Sequence, residues 1–235
     1  MTFSVKRFMA IFQKDLKDLY RNLYVSSTAL MPLVFAVIYS RVGEVPLAMY
    51  LFVITLSLAL VGTFLQCAII AEEKEKNTLR GLMLSPATLT EILAGKSAVT
   101  IVITIIVTAV SMFIMGFSFD GRGWLIAGIL LSLIFFIALG TWMGLITRSV
   151  LEASVYILPV MFIFGMANMF IGLADQFSFL QVLEYTPGIQ LEEIANLGES
   201  GAGFDELWKP FAIIGAWVAA TLVLAAVTFK KRMMD

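Results

Sequence analysis

The sequence predicts an all-α integral membrane protein, and three observations carry that prediction. The 235 residues are 60% hydrophobic and only 14% charged, with a mean hydropathy of +0.94. Soluble domains hold roughly 45–50% apolar and about 25% charged residues. Six apolar stretches, at approximately 23–40, 47–70, 98–117, 124–147, 150–172 and 210–229, each reach the roughly 17–25 residues that a spanning helix needs. Glu152, at the start of the fifth, is the one charge within them. Backbone amides in hydrocarbon must all be paired, so the spans are helices rather than an open sheet.

Composition also excludes functions. A net charge of −1 supplies no basic field for nucleic acid. The absence of histidine removes the commonest metal ligand and the usual proton carrier at neutral pH. The single cysteine, Cys67, can form neither an intramolecular disulfide nor a thiolate metal site, and its apolar setting marks inert packing. No catalytic, cofactor-binding or metal-binding residue is expected in the chain.

Residues 1–22 alternate charge with aliphatic residues, and no small-residue cleavage site of a signal peptide follows. Phe8, Phe12, Leu16, Leu19 and Leu23 recur at helical spacing, with Lys14, Lys17 and Arg21 on another face. This predicts an amphipathic helix lying in the membrane interface. A cationic flank that only sets topology is the alternative. Of the sixteen Lys and Arg residues, only Arg41, Arg122 and Lys209 fall on one side of the six spans. The other side, which holds both termini, is therefore expected to be cytoplasmic.

The external connection 173–209 is acidic and too polar to cross. Phe177, Leu180 and Leu183 sit at helical spacing. Thr186-Pro187 then reads as an N-cap followed by proline at the first helical position, opening a helix over 187–197 that Gly198 ends. A re-entrant helical hairpin dipping into the outer leaflet fits this stretch better than a structureless loop of that length.

The cytoplasmic segment 71–97 is the most polar in the chain. It ends in Gly95-Lys96-Ser97, but a phosphate-binding loop also requires a glycine at position 90, after a strand and before a helix. That position is Thr90, in a helical context. Lys96 reads instead as marking the inner boundary of the third span. Glu72 and Lys76 form an i,i+4 pair in the favourable order, which extends the second span as a charged stalk. Asn77-Thr78 interrupts it, asparagine being tolerant of left-handed angles. Leu79, Leu82 and Met83 give a short apolar face, and Ser85-Pro86 stops that helix. Thr88 to Glu91 is a capping box that opens the next helix. Helix, break, short transverse helix, break, helix describes either a rigid knob offered to a cytoplasmic partner or an interfacial helix on lipid headgroups.

The stretch "EEKEKNTLRGLMLSP", followed by "TEILAGK", resembles the cytoplasmic loop of type-2 ABC-transporter permeases. The likeness rests on Glu73, Lys74, Glu75, Lys76, Thr78, Leu79, Pro86, Gly95 and Lys96; Asn77 stands where that family usually has glycine. The layout of interfacial helix, six spans, cytoplasmic helix and external hairpin agrees over nearly the whole chain. The resemblance implies a single transmembrane permease domain over 1–235, without a nucleotide-binding domain, acting as the membrane subunit of an ABC exporter. It implies that Glu72, Glu73, Glu75, Asn77, Thr78, Leu79, Arg80, Leu82, Met83 and Pro86 couple to a separate cytoplasmic ABC ATPase. It also implies a second permease chain, with the first and fifth spans at the dimer seam. ATP and Mg would belong to the partner ATPase, so the chain is not by itself an enzyme.

In the fifth span, Met161, Phe162, Phe164, Met166, Met169 and Phe170 form a soft apolar surface. Gly165 and Gly172, seven apart, fall on roughly one face and permit close helix approach. With Asn168, the residues Met161, Phe162, Gly165, Met169 and Gly172 are the candidates for the translocation path or seam. No carboxylate lies mid-span, although Gln66 and Asn168 are buried amides, and this favours an apolar or amphipathic cargo over an ion. Phe and Met facing lipid is the competing account. An ion- or proton-coupled secondary transporter and a non-transport membrane scaffold remain the other function classes.

Overall fold

The computed structural model describes residues 4–76, 78, 88–174 and 176–232. They are overwhelmingly helical, and no strand occurs among the described residues. Four helices are long and apolar enough to cross a membrane, or six when each of two bent pairs counts as one span.

The first bent pair is α1 (Val5–Arg21) and α2 (Leu23–Tyr39), which meet at 81°. Asn22 makes the corner. Its N–H closes α1 on the Asp18 and Leu19 carbonyls, and its side chain caps α2 by accepting from the Val25 N–H. Ser26 Oγ donates back to the Leu19 carbonyl at 2.6 Å. The inward face of α1 differs from the expected one. Ile11, Asp15 and Leu19 are buried, while Leu16 and Leu23 are exposed. An acidic residue sits on the buried face because its cationic partners lie inside the bundle, and the exposed leucines suit a membrane boundary.

α3 (Leu47–Glu75) is the axis of the bundle: its 18-residue apolar window is entirely buried. A π-helical stretch, Leu58–Phe64, lies within it. α4 (Leu89–Met115) and α5 (Gly123–Ile146) pack on this axis, and α9 (Phe204–Arg232) packs in turn on α5. Two glycines bring α5 onto α3. A Cβ on Gly140 would stand 2.4 Å from the Thr63 carbonyl oxygen, and one on Gly144 would stand 2.8 Å from Ile70 Cβ. Their i,i+4 spacing is the small-xxx-small pattern of close membrane helix pairs, which the sequence reading passed over.

The fifth span is not the continuous helix expected over 150–172. α6 (Val150–Gly165) and α7 (Ala167–Leu173) meet at 57°. Pro159 removes a helical donor, and a π turn over Met161–Gly165 follows it. These are two recognised causes of a kink.

Outside α7 the chain forms a 3-10 stretch, Ser178–Tyr185, and then α8 (Pro187–Glu199), with Pro187 at its first turn as expected. Thr186 holds the N-cap position, but its hydroxyl donates to the Leu183 carbonyl at 2.7 Å rather than accepting from α8. α8 ends at Glu199, one residue beyond Gly198, and the left-handed residue that follows is Gly201, at φ +76°. Leu191 and Ile194 are fully buried, seated against Gly128, where a Cβ would meet Leu191 Cδ2 at 2.9 Å. α8 is thus covered by protein on one face, the condition for an element that enters a membrane without crossing it.

Candidate functional site

The end of α3 is a stem, Glu72 to Lys76, that binds four other helices. Glu73 Oε1 accepts from Lys14 Nζ of α1 at 2.6 Å and forms an ion pair with Lys96 Nζ of α4 at 2.8 Å. Lys96 also pairs with Asp15 Oδ2 of α1 at 3.1 Å, and Lys14 lies 3.2 Å from Asp15 Oδ1. The side chains of Lys96, Asp15 and Glu73 are only 1%, 2% and 5% exposed. Charges so far from water persist only when paired and hydrogen-bonded. Burial opposes the charge on Lys14. The hydrogen bond to Glu73, with the negative charges of Asp15 and Glu73, outweighs it and holds the ammonium pKa above the ordinary lysine value.

The neighbouring stem residues reach the opposite side. Lys74 Nζ donates to the carbonyls of Gly144 at 3.3 Å, Leu145 at 2.7 Å and Thr147. These close the C-terminal end of α5, where the helix dipole favours a cation. Glu75 Oε2 accepts from the Val150 N–H at 3.0 Å, at the positive N-terminal end of α6. Glu72 pairs with Lys76 at 2.5 Å, and the Thr78 hydroxyl donates to the Glu73 carbonyl at 3.3 Å. The remaining coupling candidates, Asn77, Leu79, Arg80, Leu82, Met83 and Pro86, lie outside the described residues.

Thr88 and Glu91 form the expected capping box in both directions. Glu91 also accepts from Arg7 Nη2 at 2.9 Å and from the Ser4 N–H at 2.5 Å. α1 therefore touches both sides of segment 77–87. Gly95 allows this contact, since a Cβ there would stand 2.9 Å from Ile11 Cγ2. Lys96, read from the sequence as the inner boundary of the third span, is buried rather than facing water. Gly95 and Lys96 are the seat of α1, one by its lack of a side chain and the other by its charge. Gly95→Leu should push α1 off this seat and lower stability by about 1 kcal/mol or more. Thermal unfolding in detergent checks this, with Gly198→Leu, at an open position, left unchanged.

Within the bundle, Gln66 bridges three helices. Its Nε2 donates to Ser97 Oγ at 3.2 Å and Thr141 Oγ1 at 3.0 Å, and its Oε1 accepts from Thr100 at 2.8 Å. The fifth-span candidates divide into two groups. Gly165 is buried, with Ala59 Cβ 3.0 Å from where its own Cβ would lie, and Phe164 meets Phe135 at a tilt and Trp217 edge to face. Asn168 Nδ2 donates to Glu192 Oε2 of α8 at 2.6 Å. Met161 is half-buried, whereas Phe162, Met169 and Gly172 are exposed. Gly165 and Gly172 do not share one face, because the π turn and the bend at Met166 break the helical register between them.

The sequence reading missed Asp15, Lys14 and Glu192 as partners. Asp15 carried a signal: it sits four residues from both Ile11 and Leu19, an acid within an apolar stripe. Glu192 carried none, as its amide partner lies 24 positions away.

A helical bundle around one fully buried span, with charge gathered at the ends, defines a multi-pass α-helical membrane protein. The family model described as ABC-2 family transporter protein matches residues 11–227. The chain belongs to that family and is the membrane-spanning permease component of an ABC transporter. No curated protein matches the chain.

Proposed function

We propose that this permease is the membrane half of an ATP-driven exporter, moving an apolar or amphipathic cargo such as a peptide toxin, an antibiotic or a lipid-like molecule out of the cytoplasm. A separate ABC ATPase docks on segment 78–85 and hydrolyses ATP with its own Mg. The whole chain, 1–235, acts as one permease domain, and two copies pair along the first and fifth spans. Both termini lie in the cytoplasm. The observation that carries this reading is the stem itself. Glu73, Lys74 and Glu75 hold α1, α4, α5 and the start of α6, so a push on 78–85 reaches five helices at once. Coupling through a packed element of this kind is how distant sites bias one another.

The test is a pair of charges in the proposed knob. Leu79→Asp with Leu82→Asp should abolish ATP-dependent export in reconstituted vesicles, and stimulation of the partner ATPase with it, while membrane insertion and thermal stability stay as in the parent. Export at the parental rate would remove the coupling role.

A further inference from the structure

Between α4, α5 and α9 runs a groove of about 980 Å³. Its walls are aliphatic, with Ile101 and Ile105 of α4, Ile134 and Ala138 of α5, and Leu222 and Ala226 of α9. From Leu93 to Ile105 it follows α4 for roughly 18 Å at 1.5 Å per residue. That is close to half of a hydrocarbon core of about 30 Å, so the groove has the depth of one leaflet. A second groove of about 280 Å³ shares Ile105, Leu130 and Leu133 with it and continues to Phe119. Among the described residues, no carboxylate lines either one. Among the described residues the one charge in the lining is Lys230, at the same end of the bundle as Leu93 and the ion-pair stem, and Lys231 follows it. Ser97 and Thr141 add hydroxyls to the lining.

We propose that this groove is a binding site for an anionic phospholipid, with an acyl chain along α4 and the phosphate on Lys230. A slot that is aliphatic along its length and cationic at one mouth complements a molecule with a hydrocarbon tail and an anionic head. A second copy of the chain is a poorer complement. Seated symmetrically on α9, it would bring two lysine-bearing ends together, and the acids of that helix, Asp205 and Glu206, lie at its far end. The site stands apart from the coupling reading above and does not depend on it.

Native mass spectrometry of the detergent-purified protein, titrated with phosphatidylglycerol, tests the assignment. One lipid per chain should remain bound above the non-specific background. Ile134→Trp, which fills the groove, should remove it. Ala226→Phe, from the opposite wall, gives the same readout if Ile134→Trp does not fold. Lys230→Gln should weaken phosphatidylglycerol binding about fivefold, as expected for one basic residue at a lipid surface, and weaken binding of the zwitterionic phosphatidylcholine less. Retention of the lipid by both groove-filling variants overturns the site. So does conversion of a dimer to monomer by those variants without a change in lipid binding, which would give the groove to a second copy. An equal effect of Lys230→Gln on both lipids, which share the phosphate and differ in net charge, overturns the assignment to an anionic lipid.

Discussion

Lys96→Met should lower the stability of the solubilised protein by about 3–5 kcal/mol, the usual cost of removing one partner from a buried ion pair. The methionine fills much of the lysine's volume, so the loss is electrostatic rather than a cavity. Asp15 and Glu73 would then face each other with only Lys14, itself 41% exposed, to balance them. Thermal unfolding followed by tryptophan fluorescence reads the change. Adding Glu73→Gln to Lys96→Met should recover part of it, because the double variant no longer buries an unbalanced carboxylate there. A single variant as stable as its parent, or a double variant with the two losses simply added, would show that these charges do not form one unit. α1 should also loosen in the single variant, since Asp15 and Glu73 lose the ammonium that joins α1 and α3 to α4.

What could be read from the sequence divides by distance along the chain. The Thr88–Glu91 capping box, the Glu72–Lys76 pair and Pro187 at the start of α8 are local, complete within a helical turn, and the structure contains all three. The apolar runs are also local sums, so four of the six expected spans appear as long apolar helices, and the first and fifth appear in bent pairs. The Lys96 contacts were not. Asp15 lies 81 positions from Lys96, and in the sequence a lysine at the end of an apolar run looks the same whether it meets water or a carboxylate. The bend at Met166 was half legible. Pro159 announces a kink, but only packing of Phe164 against Trp217 and Asn168 against Glu192 determines where the chain turns. The likeness in residues 72–96 pointed to the right family because motif residues are local too. The helices that the stem holds are joined to it by tertiary contacts that no spacing rule supplies.

Gly140→Val should cost about 2–4 kcal/mol, comparable with Lys96→Met, by a different route. The atom that a Cβ would meet at 2.4 Å is the Thr63 carbonyl oxygen. It belongs to backbone and cannot rotate away as a flexible side chain can. That carbonyl lies in the π-helical stretch Leu58–Phe64, and the Thr63 hydroxyl donates to the Phe136 carbonyl of α5 at 3.0 Å. Seating a larger residue therefore separates α5 from α3 and breaks a buried hydrogen bond, and it also spreads the helices that Gln66 joins a turn away. Overpacking typically costs about 1–3 kcal/mol. The lost bond adds about 1 kcal/mol, so the total approaches the larger losses seen for single substitutions. Gly215→Val in α9, where nothing lies within 4 Å, is the control and should stay within about 0.5 kcal/mol of the parent. Gly144→Val should resemble Gly140→Val in kind but be milder, because Ile70 Cβ is its nearest neighbour and the Cys67 carbonyl lies farther off, at 3.0 Å. Thermal unfolding of the three variants side by side decides the matter. Equal losses for Gly140→Val and Gly215→Val would mean that glycine is needed for helix flexibility in the membrane, not for the approach of α5 to α3.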